Sequence, residues 1–579
     1  MNKNNIKLIK YLIISYILVK SVFLLFELSS NSIYIVLLTG LSTYILNKCE
    51  LKKDNRFIPC LIYSFLIAIV LTLQHKIIFN GDVWNTPEEF YINSYNYVDI
   101  FRVIILTPLL YIFVYGIVSL FKSSKLSVLD KKKEYTKKES FKFFIIFFIL
   151  IAIPFLLVLL TYYPGAVLND SISSLYQVTG RNTLMNNHPV FYTLFVGLLY
   201  VLGKMIHSPN LGIFFYSLVQ LLIMSGILSY FLLWLRKKNV RLELIILTYI
   251  YFVCNSLFAY YAIAMWKDPL FCGFLFLMSL YIFDIIKSKG EVLKDNKKIL
   301  YFVLLNFLIA FLRNNGIFIL IGICIALLIK FKKEIFRFQI INIVSIVIII
   351  IIQGPVYSKL GIITPSEESY GIPLQQIARV IYEDGNINEK EITTINNLMS
   401  YNIWKESYHP GTVDAIKWNK NFNKEYLKEN KIEFLSLWFK LLPKNFNTYV
   451  DAYLLQTYGF WSIGTNNYYG LYSNNVVKNY LDIFRKDLIK DSMGVSLKDY
   501  IKEPSTPGIG TLLWIMVFSS VLLIIIKKKE YILVYLPSII LMITLLIATP
   551  VTFCFRYAFV LAYLLPLFIL MPFMLKDNK

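Results

Sequence analysis

Long stretches of this chain have no polar face. Phe143–Tyr162, Leu211–Leu235 and Tyr531–Ala548 are apolar all round a helical wheel, and each is long enough to cross about 30 Å of hydrocarbon as a helix. The same pattern read along the chain predicts fourteen spans, at 8–28, 32–47, 57–75, 101–121, 143–162, 211–235, 242–262, 269–286, 299–312, 316–331, 338–353, 510–526, 531–549 and 556–574. The expected fold class is an all-α polytopic membrane protein with about 14 transmembrane helices, interfacial helices and a mainly helical outer domain.

Basic residues set the orientation. Lys48–Arg56, Lys122–Lys142, Arg236–Arg241, Lys287–Lys298, Lys330–Arg337 and Lys527–Lys529 are short basic loops between apolar blocks, and such loops stay in the cytoplasm. An even number of spans between each pair then puts both termini in the cytoplasm of a multi-pass plasma-membrane protein. Val190–Met205 is apolar but breaks this parity if it crosses. Being short and interrupted by Gly197 and Gly203, it is expected to lie along the outer interface; the alternative is a true crossing that violates the charge rule. The resulting division is an N-terminal four-span region (1–121), a basic cytoplasmic linker (122–142), a membrane core with outer loops (143–353), an extracytoplasmic domain (354–509) and a C-terminal three-span region (510–579). The linker is expected to be a solvated connection, and Leu8–Glu27, which no small-residue cleavage site follows, a retained first span.

Composition agrees. The chain is 57% hydrophobic and 16% charged, where ordinary soluble chains are about 45–50% apolar and about 25% charged. A net charge of +22 would suit nucleic acid, but the cations sit in membrane loops, so the expected partner is the lipid bilayer, with no nucleic acid. The six cysteines are scattered without a CxxC pair, which indicates neither a zinc site nor a disulfide framework.

In a membrane protein the informative residues are the ionisable ones. Tyr163-Pro164-Gly165 ends one span, and Asn169 or Asp170 can cap a new helix; on that helix Asp170, Ser174, Gln177 and Arg181 would share a face. Asn186-Asn187-His188-Pro189 follows, then Trp266-Lys267-Asp268-Pro269, Arg313-Asn314-Asn315-Gly316 and Arg556-Tyr557. Each has an ordinary explanation: a cap for Asp170, an interfacial histidine for His188, an exposed ion pair for Lys267 and Asp268, snorkelling for the arginines. Together they fall on one predicted membrane face, and several cations mixed with carboxylates there suit an anionic headgroup.

At these residues the sequence resembles the GT-C superfamily of membrane glycosyltransferases, and more narrowly an uncharacterised bacterial branch related to protein O-mannosyltransferases and lipid A aminoarabinose transferases. Asp170 matches the acid of the first outer loop, His188-Pro189-Val190-Phe191-Tyr192 the interfacial segment, and Asp268 the acid of a later loop. The resemblance covers about 143–574. It departs where many relatives carry an Asp-Glu pair, since this chain has Asn169-Asp170, and in its four extra N-terminal spans.

The resemblance implies transfer of a sugar from a polyprenyl-phosphate carrier to an envelope glycan, lipid or protein acceptor, with inversion. Asp170 would be the general base, with Asp268 and His188 as further catalytic candidates. Lys267, Arg313 and Arg556 would hold the phosphate, and Asn169, Gln177, Arg181 and Asn187 are candidate substrate contacts. The cofactor is unknown; a divalent cation between Asp170 and Asp268 is one option. In the outer domain Tyr453, Tyr458 and Phe460 could stack on sugars or simply pack. The competing readings are a lipid-linked sugar flippase or transporter, which would need polar residues at mid-membrane, a membrane O-acyltransferase using His188, and a non-catalytic scaffold.

Overall fold

Hydrocarbon gives backbone groups no partners, so a spanning chain must satisfy them within helices. Helices dominate the computed structural model, which describes residues 3–28, 32–49, 54–79, 86–124, 126–331, 335–365, 367–465, 473–504, 506–548 and 551–576. Parts of two basic loops, 50–53 and 332–334, lie outside the described residues. Up to the outer domain the helices are α1 (Lys3–Leu25), α2 (Ser32–Cys49), α3 (Phe57–Lys76), α4 (Tyr97–Ser123), α5 (Lys137–Thr161), α6 (Asn169–Val178), α7 (Val190–Met205), α8 (Pro209–Lys237), α9 (Leu242–Cys254), α10 (Ser256–Ile263), α11 (Lys267–Lys287), α12 (Asn296–Leu312), α13 (Gly316–Phe331) and α14 (Phe336–Ile351).

The protein is membrane-embedded. Among the described residues, eight helices are long and apolar enough to cross a bilayer, or nine if α9 and α10, bent by 56° at Asn255, form one span. Four further expected spans fall on shorter apolar helices: Ile33–Cys49, Gly316–Phe331, Ile509–Ile525 and Val560–Leu575. The fifth, 299–312, falls on α12, which has 17 residues. Length and composition therefore account for fewer than fourteen crossings.

The short block 190–205 is the helix α7. Tyr192, Thr193, Val196 and Tyr200 are buried along one side, while Phe191, Leu194, Leu198 and Val201 are exposed on the other. The two glycines that interrupt it are points of close approach. A Cβ at Gly197 would meet Val178 Cγ1 at 2.2 Å, and one at Gly203 would meet the backbone N of Gly212 at 2.1 Å. Small residues there let α7 lie directly on α6 and α8.

The all-α class stands, with very little sheet beside the helices: one small antiparallel hairpin, β1 (Ile77–Phe79) with β2 (Phe90–Ile92), lies between α3 and α4. One expectation needs correction: the linker 122–142 is docked, not solvated throughout. Val128 is buried, its carbonyl accepts the Arg241 N–H at 3.0 Å, and the Asp130 N–H donates to the Asn239 carbonyl at 2.8 Å. Unpaired backbone groups beside a membrane surface are costly, so a neighbouring loop edge captures them.

The polar stretch 354–509, expected to be the outer domain, is helical in its described residues, as expected. Gly371–Tyr382, Glu389–Leu398, Tyr401–Ser407, Lys431–Leu441 and Phe446–Trp461 enclose a separate core containing Leu374, Ile377, Trp404, Phe434 and Tyr449. Tyr458 and Phe460 are buried; they pack, and do not face solvent.

Candidate functional site

Three distant segments meet through isolated parallel bridges. Gly165, at φ 123°, allows the chain to turn after α5 where a Cβ would meet Ser217 Oγ at 2.1 Å and the Ile263 carbonyl at 2.8 Å. Ala166 then pairs in parallel with Ala264: its N–H donates to the Ile263 carbonyl, and the Met265 N–H donates to its own carbonyl, both at 2.9 Å. On the other edge Val167 pairs with Val476. Four residues beyond Ala166 is Asp170, and four beyond Ala264 is Asp268. Each acid is the second residue of a helix, α6 and α11 respectively.

Two polar side chains on α8 fix this arrangement. Gln220, fully buried, donates from Nε2 to the carbonyls of Tyr261, Ala262 and Ala264 at 2.9, 3.2 and 2.6 Å. Tyr216 donates to Gln220 Oε1 at 2.7 Å. The carbonyls freed where α10 ends thus find a partner that the bilayer cannot supply.

Neither Asn169 nor Asp170 is the cap of α6. Leu168 holds the cap position, and Ser171 Oγ accepts the Leu168 N–H at 3.2 Å while donating to the Met265 carbonyl at 2.5 Å. The Asp170 carboxylate is left for Arg556, whose Nη1 lies 2.8 Å from Oδ2. Arg556 Nε stands 3.9 Å from Asp268 Oδ2, and Arg313 Nη1 donates to Asp268 Oδ1 at 2.7 Å. The guanidiniums also stack on rings: Arg556 over Trp266 at 5.0 Å and Arg313 over Tyr557 at 4.6 Å. Lys267 Nζ lies 3.0 Å from His188 Nδ1.

Burial separates the two acids. The Asp268 side chain is 1% exposed and that of Asp170 is 36%. Asp268 thus faces Arg313 and Arg556 from a buried position, while Asp170 lies nearer the surface. Arg556 reaches toward both carboxylates, filling the place a divalent cation would take, and no described group of three or more His, Cys, Asp or Glu is arranged to hold a metal. Burial works against ionisation of Asp170, but Arg556 and then Lys267 outweigh it and hold its pKa well below the usual carboxylate range. Burial, then Lys267, pushes His188 down to about 3. His188 is therefore neutral, with its Nδ1 within hydrogen-bond distance of Lys267 Nζ. The Arg556 Nε–H and the Trp266 Nε1–H are buried with no hydrogen-bond partner, so unused donors remain where an anion would be welcome.

Of the expected substrate contacts, only Asn169 stays free of a structural task, exposed beside Asp170. Gln177 Oε1 accepts the Met185 N–H at 3.0 Å, and Asn187 Oδ1 accepts the His188 N–H at 2.8 Å, so both brace the loop before α7. Arg181 lies beyond the end of α6 and turns away to the Tyr480 carbonyl at 3.0 Å. The sequence reading missed the outer-domain contribution. Thr412 bridges Val551, and Asp414 lies on the next helix turn, close enough to feel the charge of Asp170. Lys417, 1% exposed, pairs with Glu368 at 2.8 Å and Asp414 at 3.1 Å. No local motif marks these residues; only the fold brings them to the site.

No curated protein and no solved structure matches the chain. A family model does match, over residues 177–579, which begins within α6 and takes in Asp268, Arg313 and Arg556 but not Asp170. The chain belongs to that family, described as a family of unknown function (DUF6020).

Proposed function

We propose that the protein is a membrane glycosyltransferase that moves a sugar from a polyprenyl-phosphate carrier to an envelope acceptor. The observation that carries this reading is one open carboxylate, Asp170, held 2.8 Å from an arginine whose Nε–H is still unused. On the topology expected from the basic loops, with fourteen spans and both termini cytoplasmic, the site opens on the outer face of the plasma membrane.

The donor phosphate would rest on Arg556, Arg313 and Lys267, whose charge stabilises the leaving group as it departs. The acceptor hydroxyl attacks the anomeric carbon, the carbon–oxygen bond to phosphate breaks, and polyprenyl phosphate leaves with the bonding electrons. The hydroxyl proton goes to Asp170. Asp170 paired with Arg556 alone is a weak base. The donor's phosphodiester, a monoanion, docked on Arg556 partly offsets the guanidinium and raises the Asp170 pKa toward its ordinary range, so the base strengthens when donor is bound; the second negative charge appears on the phosphate only as the sugar leaves. His188 donates from Nε2 in this scheme. With its pKa pushed down to about 3, His188 is a weak base, which speaks against the general-base histidine of an O-acyltransferase.

The test is the envelope glycan of cells lacking the protein, complemented with wild type or Asp170→Asn at equal membrane level. Restoration of a missing sugar by wild type only supports the reading. Full restoration by the variant would move a flippase or scaffold ahead.

A further inference from the structure

Arg556 is delivered by a loop that the N-terminal region holds from outside. Phe553, three residues before it, is 1% exposed and has φ 58°, a left-handed conformation that a bulky residue keeps only when its surroundings impose it. Its ring stacks on Phe79 of β1, with centroids 5.0 Å apart and planes at 26°. The same ring meets Phe90 of β2 and Tyr458, each at 5.7 Å. The backbone beside it is fixed twice: the Thr552 N–H donates to the Gly411 carbonyl at 2.8 Å, and Thr552 Oγ1 accepts the Gly459 N–H at 3.1 Å. Gly459 has no room for a Cβ, which would lie 2.5 Å from the Phe553 nitrogen. The hairpin itself is anchored, since Gln74 near the end of α3 exchanges two hydrogen bonds with the Ile463 backbone at 2.8 and 3.0 Å.

We propose that the β1–β2 hairpin makes the N-terminal four-span region part of the functional unit: Phe79 and Phe90 seat Phe553, and the seated loop sets the position of Arg556. Phe79 is thus a positioning residue that acts on the site without touching a ligand. What Arg556 then does rests on the phosphate-binding role proposed above.

The experiment uses full-length protein in detergent and two readouts. Hydrogen exchange follows the amides of 551–558, with α12–α14 as internal reference, and calorimetry follows binding of farnesyl phosphate. In Phe79→Ala the loop amides exchange about tenfold faster or more while α12–α14 are unchanged, and farnesyl phosphate binds about tenfold more weakly. Phe79→Tyr, which keeps the stacked ring, restores both. If Phe79→Ala loosens the whole protein, Phe79→Leu, which keeps bulk without the stack, gives the same localised result. Unchanged exchange at 551–558 in these variants overturns the proposal, as does loosened exchange with unweakened binding. Localised loosening in a protein whose wild type binds no farnesyl phosphate supports the hairpin's hold on the loop and sinks the phosphate reading instead.

Discussion

Arg556 and Asp170, separated by almost the whole membrane core in sequence, meet at 2.8 Å, and this pair governs the charge state of the half-open acid at the start of α6. Because the Asp170 pKa is held below its ordinary value, the pair's stabilisation is present above the unfolded value of 3.8 and lost as pH falls below it. The proposed transfer reaction should therefore show no acid limb from Asp170 at about pH 5 or above in kcat/KM. In Arg556→Gln the burial effect is opposed by Lys267 and then His188 without the guanidinium, and the acid limb should move up by about one unit or more. A pH–rate profile of the two proteins measures this; coincident acid limbs would contradict it.

Asp268 should matter for folding more than for chemistry. Asp268→Asn leaves Arg313 buried without its carboxylate and removes the charge facing Arg556, which should cost about 3–5 kcal/mol. Asp170→Asn alters a more open ion pair and should cost about 1 kcal/mol or less. Thermal unfolding in detergent compares them. Since Arg556 fills the gap between the acids, prolonged treatment with a chelator should leave wild-type transfer unchanged, and a rate restored only by added divalent cation would show that a metal displaces the arginine.

His188 should behave as a neutral donor. Its folded pKa of about 3 lies below the ordinary 6.5, so the unfolded state binds more protons between these values and stability rises with pH across that window. His188→Gln, which also donates and does not titrate, should flatten the dependence of melting temperature on pH there. It should also retain more transfer than His188→Ala. An inflection near 6.5 in the wild-type rate profile, lost in His188→Gln, would instead make the imidazole a base.

Gln220→Leu keeps volume but removes the donor shared by three carbonyls at the end of α10. Leaving buried carbonyls unpartnered should cost about 2 kcal/mol or more. The melting temperature should fall, and the segment carrying Lys267 and Asp268 should become the part most exposed to hydrogen exchange. Wild-type protection of Ala264 and Met265 in the variant would show that another group holds them.

Much of the architecture is legible in the sequence because apolar blocks report helices directly. The limits of α7 follow from one block, Val190–Met205. The ion cluster is partly legible too: Asp170, His188, Lys267, Asp268, Arg313 and Arg556 are rare charges at one end of apolar segments, and cost singles them out. What the pattern does not carry is which charge meets which. Periodicity extended one face of α6 to Arg181, but the helix stops at Val178 and the arginine turns to Tyr480. Asp170 passes for a cap until Ser171 is seen to do that work. Asp414, Gln220 and the Phe79–Phe553 stack act through contacts between segments far apart in the chain, and such contacts leave no local trace.

The paired alanines make two short stretches of the chain critical in length. Ala166 and Ala264 are locked side by side, and four residues later each branch presents its aspartate on the first turn of a helix. A single insertion or deletion between Ala166 and Asp170, or between Ala264 and Asp268, would rotate the following helix by about 100° and carry that carboxylate away from its arginine. These two spacers act as a ruler, and the distance they measure is the one between Asp170 and the guanidinium it shares with Asp268.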